Sequence, residues 1–297
     1  MTKPSLKKNV STRTKELPIV FGSNGVKLKG KVLFPYGSNV SLPVPGAVLC
    51  HGFAADYRAV ETSARILTKR GIATLIFDFR GHGFSEGVVD GKMVEDVVDA
   101  WNFLSEFPGV DKKRIGLIGH SLGAMSAIMA AEKVDDIQAL VTLACPPETG
   151  DELFNDEFCN FKTWGRENGV SEHPKHGAFP WLTGLAALVL RIWMHFFDYR
   201  VRVNWQKFFG ALPELKMSEV LRNLQDCAKL FVFCEGDKVT PYQKSMLAYE
   251  AACAPKEMLL AKGGFHTTPL LPGNLRHQWI NWAVATLMGE RDIGRQG

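Results

Sequence analysis

Two segments near the start of the chain alternate apolar and polar residues, Leu17 to Phe21 and Val26 to Phe34, parted by Gly22-Ser23-Asn24-Gly25. A period of two on each side of an Asn-Gly pair predicts a β-hairpin, because that dipeptide supplies the positive φ angles of a tight turn. Beyond Pro45 the pattern changes to short unbroken apolar runs: Ala47 to Cys50, Ile72 to Phe77, Arg114 to Ile118, Ala139 to Ala144, Leu230 to Cys234 and Met258 to Ala261. Such runs suit strands buried on both faces. Between them lie stripes at helical spacing, in Arg58 to Arg70 (Val60, Ala64, Leu67), Met93 to Phe107 (Val94, Val97, Val98, Trp101, Leu104), Ala124 to Ala131, Tyr242 to Ala252, and Leu275 to Met288 (Trp279, Ile280, Ala283, Val284, Leu287). Each buries one face on a sheet. Repeated strand–helix units predict an α/β fold, a mostly parallel sheet of about eight strands flanked by helices.

The alternation lapses over residues 148–225, which carry many Phe and Trp. This stretch is expected to be a helical cap insertion on an α/β core made of 17–147 and 226–290. Trp181 to Phe197 is largely apolar, yet shorter than the roughly 20 residues that span a bilayer, and Arg191 and His195 interrupt it. It reads as a cap helix lining an apolar pocket, with Trp181, Trp193 and Phe196 as candidate substrate contacts and no stable membrane insertion.

Composition narrows the function classes. With 46% hydrophobic and 22% charged residues among 297, the chain has the balance of a soluble globular protein, and its length fits one large domain carrying an insertion. Much of the net charge of +4 sits in a basic lead-in, residues 1–16, where Lys3, Lys7, Lys8, Arg13 and Lys15 face only Glu16; this segment is expected to be disordered. No basic stripe interleaved with aromatics recurs in the body, which argues against a nucleic-acid partner. The six cysteines are scattered without C-x-x-C spacing, so reduced thiols and no metal centre are expected. Met1 to Val10 has no apolar core of the kind a secretory signal needs, and a cytoplasmic location is the corresponding expectation. The oligomeric state is left open.

Candidate chemistry gathers where predicted strands end. The run Arg114 to Ile118 leads into Gly119-His120-Ser121-Leu122-Gly123 and then a helix former. A G-x-S-x-G between strand and helix forces its serine into a strained turn, with glycines letting strand and helix approach, and holds the hydroxyl above the sheet edge. Ser121 needs a base. His266, in Gly263-Gly264-Phe265-His266-Thr267-Thr268, follows the last predicted strand at the same edge. A carboxylate must orient that imidazole; Asp237, after Leu230 to Cys234, is better aimed than Glu235, though it is also placed to cap the next helix. For a developing oxyanion, the backbone N–H groups of Leu122 and of Phe53, in His51-Gly52-Phe53, are the expected donors. His51, Asp78, Arg80 and His82 are read as stitching neighbouring loops together. No metal and no organic cofactor is required.

These motifs, spaced from about Leu17 to Leu287, resemble the α/β-hydrolase superfamily, serine esterase/lipase type, whose triad order is Ser…Asp…His. His-Gly-Phe in place of a His-Gly-Gly-Gly run makes the oxyanion loop similar to that of the branch holding cinnamoyl esterases and monoacylglycerol lipases. Serine at position 121 separates the chain from the haloalkane dehalogenase and epoxide hydrolase branches, which use Asp there. The resemblance implies an α/β-hydrolase fold and a serine hydrolase that cleaves carboxylic esters with an apolar acyl or aryl part. It works through Ser121, His266 and Asp237 and an acyl-enzyme intermediate, on a small-molecule ester. The same fold hosts peptidases and acyltransferases; Asp151, Glu152, Asp156 and Glu157 are available to a peptidase that reads a free amino terminus. A ligand sensor retaining the hydrolase fold is the non-enzymatic alternative.

Overall fold

The computed structural model describes residues 14–36, 42–148, 201–212 and 215–290. The lead-in up to residue 13 and most of the expected cap, including Trp181, Trp193, Phe196 and the acidic residues 151–157, lie outside the described residues.

An antiparallel hairpin, β1 (Thr14–Ser23) and β2 (Val26–Pro35), opens the fold. It is followed by β3 (Val44–Cys50), α1 (Arg58–Lys69), β4 (Ala73–Phe77), α2 (Met93–Ser105), β5 (Val110–His120), α3 (Leu122–Ala131) and β6 (Ile137–Leu143). After the undescribed stretch come two short helices, α4 (Trp205–Ala211) and α5 (Met217–Asn223), then β7 (Ala228–Cys234), α6 (Tyr242–Ala251), β8 (Lys256–Ala261) and α7 (Asn274–Leu287). The strands form one eight-stranded sheet in the order β1-β2-β4-β3-β5-β6-β7-β8. It is parallel from β4 onward, and β2 joins β4 antiparallel. This is the mostly parallel α/β sheet expected from the strand–helix alternation, in the α/β-hydrolase arrangement that the resemblance implies.

Apolar residues fill both faces of the sheet. On one, Leu75, Phe77, Leu117 and Phe231 pack with Val97 and Trp101 of α2, Ala127 and Ile128 of α3, and Met217 and Leu221 of α5. On the other, Leu49, Ile76, Val141 and Val232 pack with Val60, Ala64 and Leu67 of α1 and with Trp279, Ile280 and Ala283 of α7. The stripes read from the sequence for α1, α2 and α7 therefore face the sheet.

Two boundaries are corrected. The strand begins at Thr14, inside the expected lead-in, because backbone pairing with β2 continues to Thr14 opposite Pro35 and Glu16 bonds Arg65 of α1. At the other end of the expected cap, α5 belongs to the core: Met217, Val220 and Leu221 are buried under it. Lys229 hid the true start of β7 by breaking the apolar run. Its side chain is fully buried, and its ammonium donates to the carbonyls of Leu224 (2.5 Å) and Cys227 (2.7 Å), so the charge is carried by backbone oxygens.

The two ends of the undescribed stretch are tied to the core. Arg202 and Asn204 pair with Gly81 and Val89 through backbone bonds of 2.8–2.9 Å, and the Arg202 guanidinium donates to the Ser85 carbonyl. Glu148, seventy residues before it in sequence, accepts from the Ser218 backbone N–H at 2.8 Å, in the first turn of α5. A carboxylate there satisfies a donor that the helix itself cannot. Glu148→Ala is expected to cost about 1 kcal/mol, read as a lower urea midpoint with unchanged slope; an unmoved midpoint would show the contact to be energetically idle.

Among the described residues no helix is long and apolar enough to cross a membrane, and no group of three His, Cys, Asp or Glu is placed to hold a metal ion. The described cysteines, Cys50, Cys145, Cys227, Cys234 and Cys253, are unbridged.

Candidate active site

The end of β5 builds the turn that the motif predicts. Ser121 sits at φ 54°, ψ −122°, a conformation L-residues rarely adopt and one that structures retain where the surroundings enforce it. Its N–H donates to the Leu143 carbonyl of β6 (2.9 Å), and its carbonyl accepts from Ala124 N–H (2.8 Å). The glycines are there for space. A Cβ on Gly123 would lie 2.5 Å from the carbonyl oxygens of both Cys50 and His51, and one on Gly119 would collide with the Gly123 carbonyl. Position 52 is close but less tight: a Cβ on Gly52 would lie 3.2 Å from Ser121 Cβ, so the backbone entering Phe53 runs past the serine. Leu122 occupies the first turn of α3, where a backbone N–H has no partner within the helix. The structure thus brings Ser121, the Leu122 amide and the Gly52–Phe53 segment together.

Beyond β7 and β8, the loops carrying Asp237 and His266 lie against each other; a Cβ on Gly236 would strike the Gly264 carbonyl. His266 Nδ1 donates to Asp237 Oδ2 at 2.9 Å. The Asp237 side chain is 1% exposed and that of His266 17%, so the carboxylate is withdrawn while the imidazole reaches the surface. Burial alone would raise the Asp237 carboxyl; the His266 and Thr240 bonds overcome it and hold the group below its ordinary range. Asp237 does not cap α6, whose N-cap is Pro241 with no side-chain bond; its Oδ1 instead accepts from the Val239 (2.9 Å) and Thr240 (3.0 Å) amides and closes the turn before that helix. Glu235, its rival, is exposed. The His266 loop is pinned from below, where Trp279 Nε1 of α7 donates to the Pro269 carbonyl (2.8 Å) and Arg276 donates to the Leu270 carbonyl (3.1 Å).

Two residues of this cluster escaped the sequence reading. His120 Nε2 donates to the backbone carbonyl of His266 at 2.9 Å, and the two rings stand 4.8 Å apart. This bond ties the histidine loop to the residue preceding Ser121. Burial, reinforced by the facing His266, pushes the His120 imidazole down to about 3, so it is neutral there. Thr240 Oγ1 donates to Asp237 Oδ2 at 2.7 Å. The signal for Thr240 was its spacing, three residues after the aspartate, which is the reach of a side chain closing an Asx-type turn. For His120 the signal was adjacency to the serine, which does not say where the ring goes.

The four residues read as loop stitching all have such partners. His51 donates from Nδ1 to the Gly52 carbonyl (2.7 Å) and accepts at Nε2 from Phe79 N–H (3.1 Å); burial pushes it down to about 4. His82 accepts from Ala54 N–H (3.2 Å) and is held well below its ordinary value, again by burial first. Asp78 accepts from the Tyr57 and Phe84 amides, and burial raises it to about 6. Arg80 pairs with the fully buried Asp96 (2.6 Å), which also accepts from Ser23 (2.8 Å) and so joins the hairpin turn to α2. Phe53 stacks on Phe208 of α4 with centroids 6.0 Å apart, placing a helix that follows the undescribed stretch over the His51-Gly52-Phe53 loop.

A profile of the alpha/beta hydrolase family matches residues 47–272, from the strand before His51 to the loop after His266. The chain belongs to this family. An uncharacterised 31.7 kDa protein of the traX-finO intergenic region of Escherichia coli is 27% identical to this hydrolase-family chain over 259 residues, 80% of the chain and 86% of that protein. The thiohydrolase aneE of Aspergillus aculeatus is 36% identical over 129 residues, 41% of the chain and 39% of its own length. Among solved structures, DcsB in complex with its substrate analogue superposes with a TM-score of 0.72 at 20% identity, covering 93% of this chain and 99% of DcsB. Est1E of Butyrivibrio proteoclasticus, bound to ferulic acid, gives 0.63 at 19% identity over 93% of this chain and 100% of its own. Both share the fold of this hydrolase-family member.

Proposed function

We propose that this chain is a serine hydrolase that cleaves carboxylic esters with an apolar acyl or aryl part. Ser121 is the nucleophile, His266 the base and Asp237 the orienting carboxylate. The observation that carries the reading is the 2.9 Å bond from His266 Nδ1 to the buried Asp237, in a loop that the residue before Ser121, His120, ties down through the His266 carbonyl. With Nδ1 engaged, Nε2 is the free ring nitrogen, directed away from Asp237 and available to take the Ser121 proton.

The Ser121 oxygen attacks the ester carbonyl as its proton passes to His266, and the Phe53 and Leu122 amides receive the oxyanion. Collapse expels the alkoxide, which takes the proton from the imidazolium and leaves as the alcohol. Water, deprotonated by His266, then attacks the acyl-enzyme, and the acid departs with Ser121 reprotonated. Asp237 stays ionised throughout and stabilises each imidazolium.

Relatives favour one further reading on the same residues, an acyl thioester as substrate or acyl transfer to an acceptor other than water. Besides the thiohydrolase aneE, the polyketide transferase ATR5 of Stachybotrys chlorohalonatus is 35% identical over 42% of the chain. Ester reactivity also has a precedent among relatives in the esterase EstD of Thermotoga maritima, 29% identical over 49% of the chain.

A fluorophosphonate probe is expected to label Ser121 and no other serine, with peptide mapping as the readout. Matched series of p-nitrophenyl esters and acyl thioesters of increasing chain length then separate the readings. Faster turnover of longer or aromatic acyl groups as oxygen esters supports the first, whereas a preference for thioesters supports the second. Labelling elsewhere, or hydrolysis that survives complete labelling of Ser121, would sink both.

A further inference from the structure

Thr240 lies where it can govern the Asp237–His266 pair without touching a substrate. Its hydroxyl has one hydrogen and three oxygen or nitrogen neighbours: Asp237 Oδ2 at 2.7 Å, the Ala144 carbonyl at 3.3 Å and His266 Nδ1 at 3.3 Å. The short contact to an ionised acceptor takes the hydrogen, since charge-assisted bonds are shorter and stronger than neutral ones. The hydroxyl oxygen then presents a lone pair to the Nδ1–H, a long second acceptor beside Asp237 Oδ2. Together with the Val239 and Thr240 amides on Oδ1, the hydroxyl leaves the carboxylate no freedom to turn. Thr240 is 5% exposed and Asp237 is buried with it, so water does not replace the hydroxyl.

We propose that Thr240 is a positioning residue, whose hydroxyl locks the Asp237 carboxylate plane and, through Oδ2, sets the orientation of the His266 ring and the strength with which the carboxylate holds its proton. The inference rests on the triad reading above. A threonine donor shares the negative charge of Oδ2. Without it, that oxygen binds the imidazolium more strongly, and the ring loses one of the two contacts that fix its tilt. The lost 3.3 Å contact acts in the opposite sense on the imidazolium, but it is the longer and the uncharged one. Among the described residues, the other titratable groups facing the pair are His120 at the end of β5 and Cys234 at the end of β7, the second influenced by Asp237 across the same turn.

Thr240→Val replaces the hydroxyl by a methyl of similar size. Its acidic limb in the pH profile of kcat/KM is expected to move up by roughly 0.5–1 unit. At the alkaline plateau kcat should fall roughly ten-fold, with KM within about three-fold, as expected for a misaligned base rather than a lost binding contact. Thr240→Ser should recover most of both effects. The His266 ring, followed by NMR in histidine-labelled protein, reads the same shift without turnover; Thr240→Ala gives the same readings if the valine variant does not fold. An unmoved limb together with an unmoved NMR titration overturns the proposal, as does a serine variant as impaired as the valine one, which would make the methyl the operative group. An NMR shift without a kinetic shift supports the Thr240 coupling and counts instead against His266 as the base.

Discussion

Ser121→Ala is expected to lower kcat/KM toward a short p-nitrophenyl ester by roughly four to six orders of magnitude, the range seen when a triad nucleophile is removed. The size follows from the chemistry. Without Oγ there is no acyl-enzyme route, and what remains is water attack helped only by binding and by the oxyanion donors. The fold should survive, because the bonds that hold the turn are backbone bonds, Ser121 N–H to Leu143 and Ala124 N–H to Ser121, and alanine keeps both. His266→Ala should fall by a similar factor, since members of such a unit are not additive. A Ser121→Ala protein retaining even one hundredth of the wild-type rate, with contaminating esterase excluded by active-site titration, would remove the serine from the mechanism.

Stability should fall steeply between pH 7 and pH 5, well before carboxylates in general are protonated. The cause is three buried neutral imidazoles, His51, His82 and His120, all held below their ordinary value by burial. An unfolded histidine titrates near 6.5. Because the folded value is lower, the stability present above 6.5 is lost as the pH falls from there toward the folded value. His51 and His120 therefore forfeit about 2 kcal/mol each by pH 5, and His82 adds to the loss. Asp78 works in the other direction. Its carboxyl is raised to about 6, so the folded state takes up a proton below that pH and recovers about 1.5 kcal/mol. Asp96, also raised by burial, against the pull of Arg80, adds to that recovery. The histidines outweigh the two carboxyls, and a net loss of stability is expected. Urea unfolding at pH 7, 6 and 5 reads it directly. A flat profile would mean that these rings are hydrated or charged in the fold, contrary to their zero or near-zero exposure.

Much of this protein is legible along the chain because its sheet is parallel and covered on both faces. Runs such as Ala47 to Cys50 and Leu230 to Cys234 must be apolar throughout, and helices such as α1 and α7 must carry a stripe, so periodicity alone yields the element order and the fold class. The serine turn is legible for a steric reason: backbone carbonyls of Cys50, His51 and Gly123 leave no room for a Cβ at positions 123 and 119, so the glycines are obligatory and mark the site. Strand ends then nominate Asp237 and His266, because connections after parallel strands all emerge at one edge. What the linear pattern does not carry is the partner of a buried polar group. Lys229 lay outside the apolar run Leu230 to Cys234, yet it belongs to β7, its buried ammonium held by two backbone carbonyls. Met217–Asn223 looked like cap until its apolar side met α3, and His120 and Thr240 looked incidental until their hydrogens were traced to the His266 carbonyl and to Asp237. Such bonds join residues as much as 146 positions apart, and their geometry depends on how two loops settle against each other. The order of elements and the strained serine turn follow from local sterics and periodic burial, which a sequence states outright; the aim of the imidazole, the charge of the buried rings and the reach of Thr240 exist only once the loops after β5, β7 and β8 are packed together.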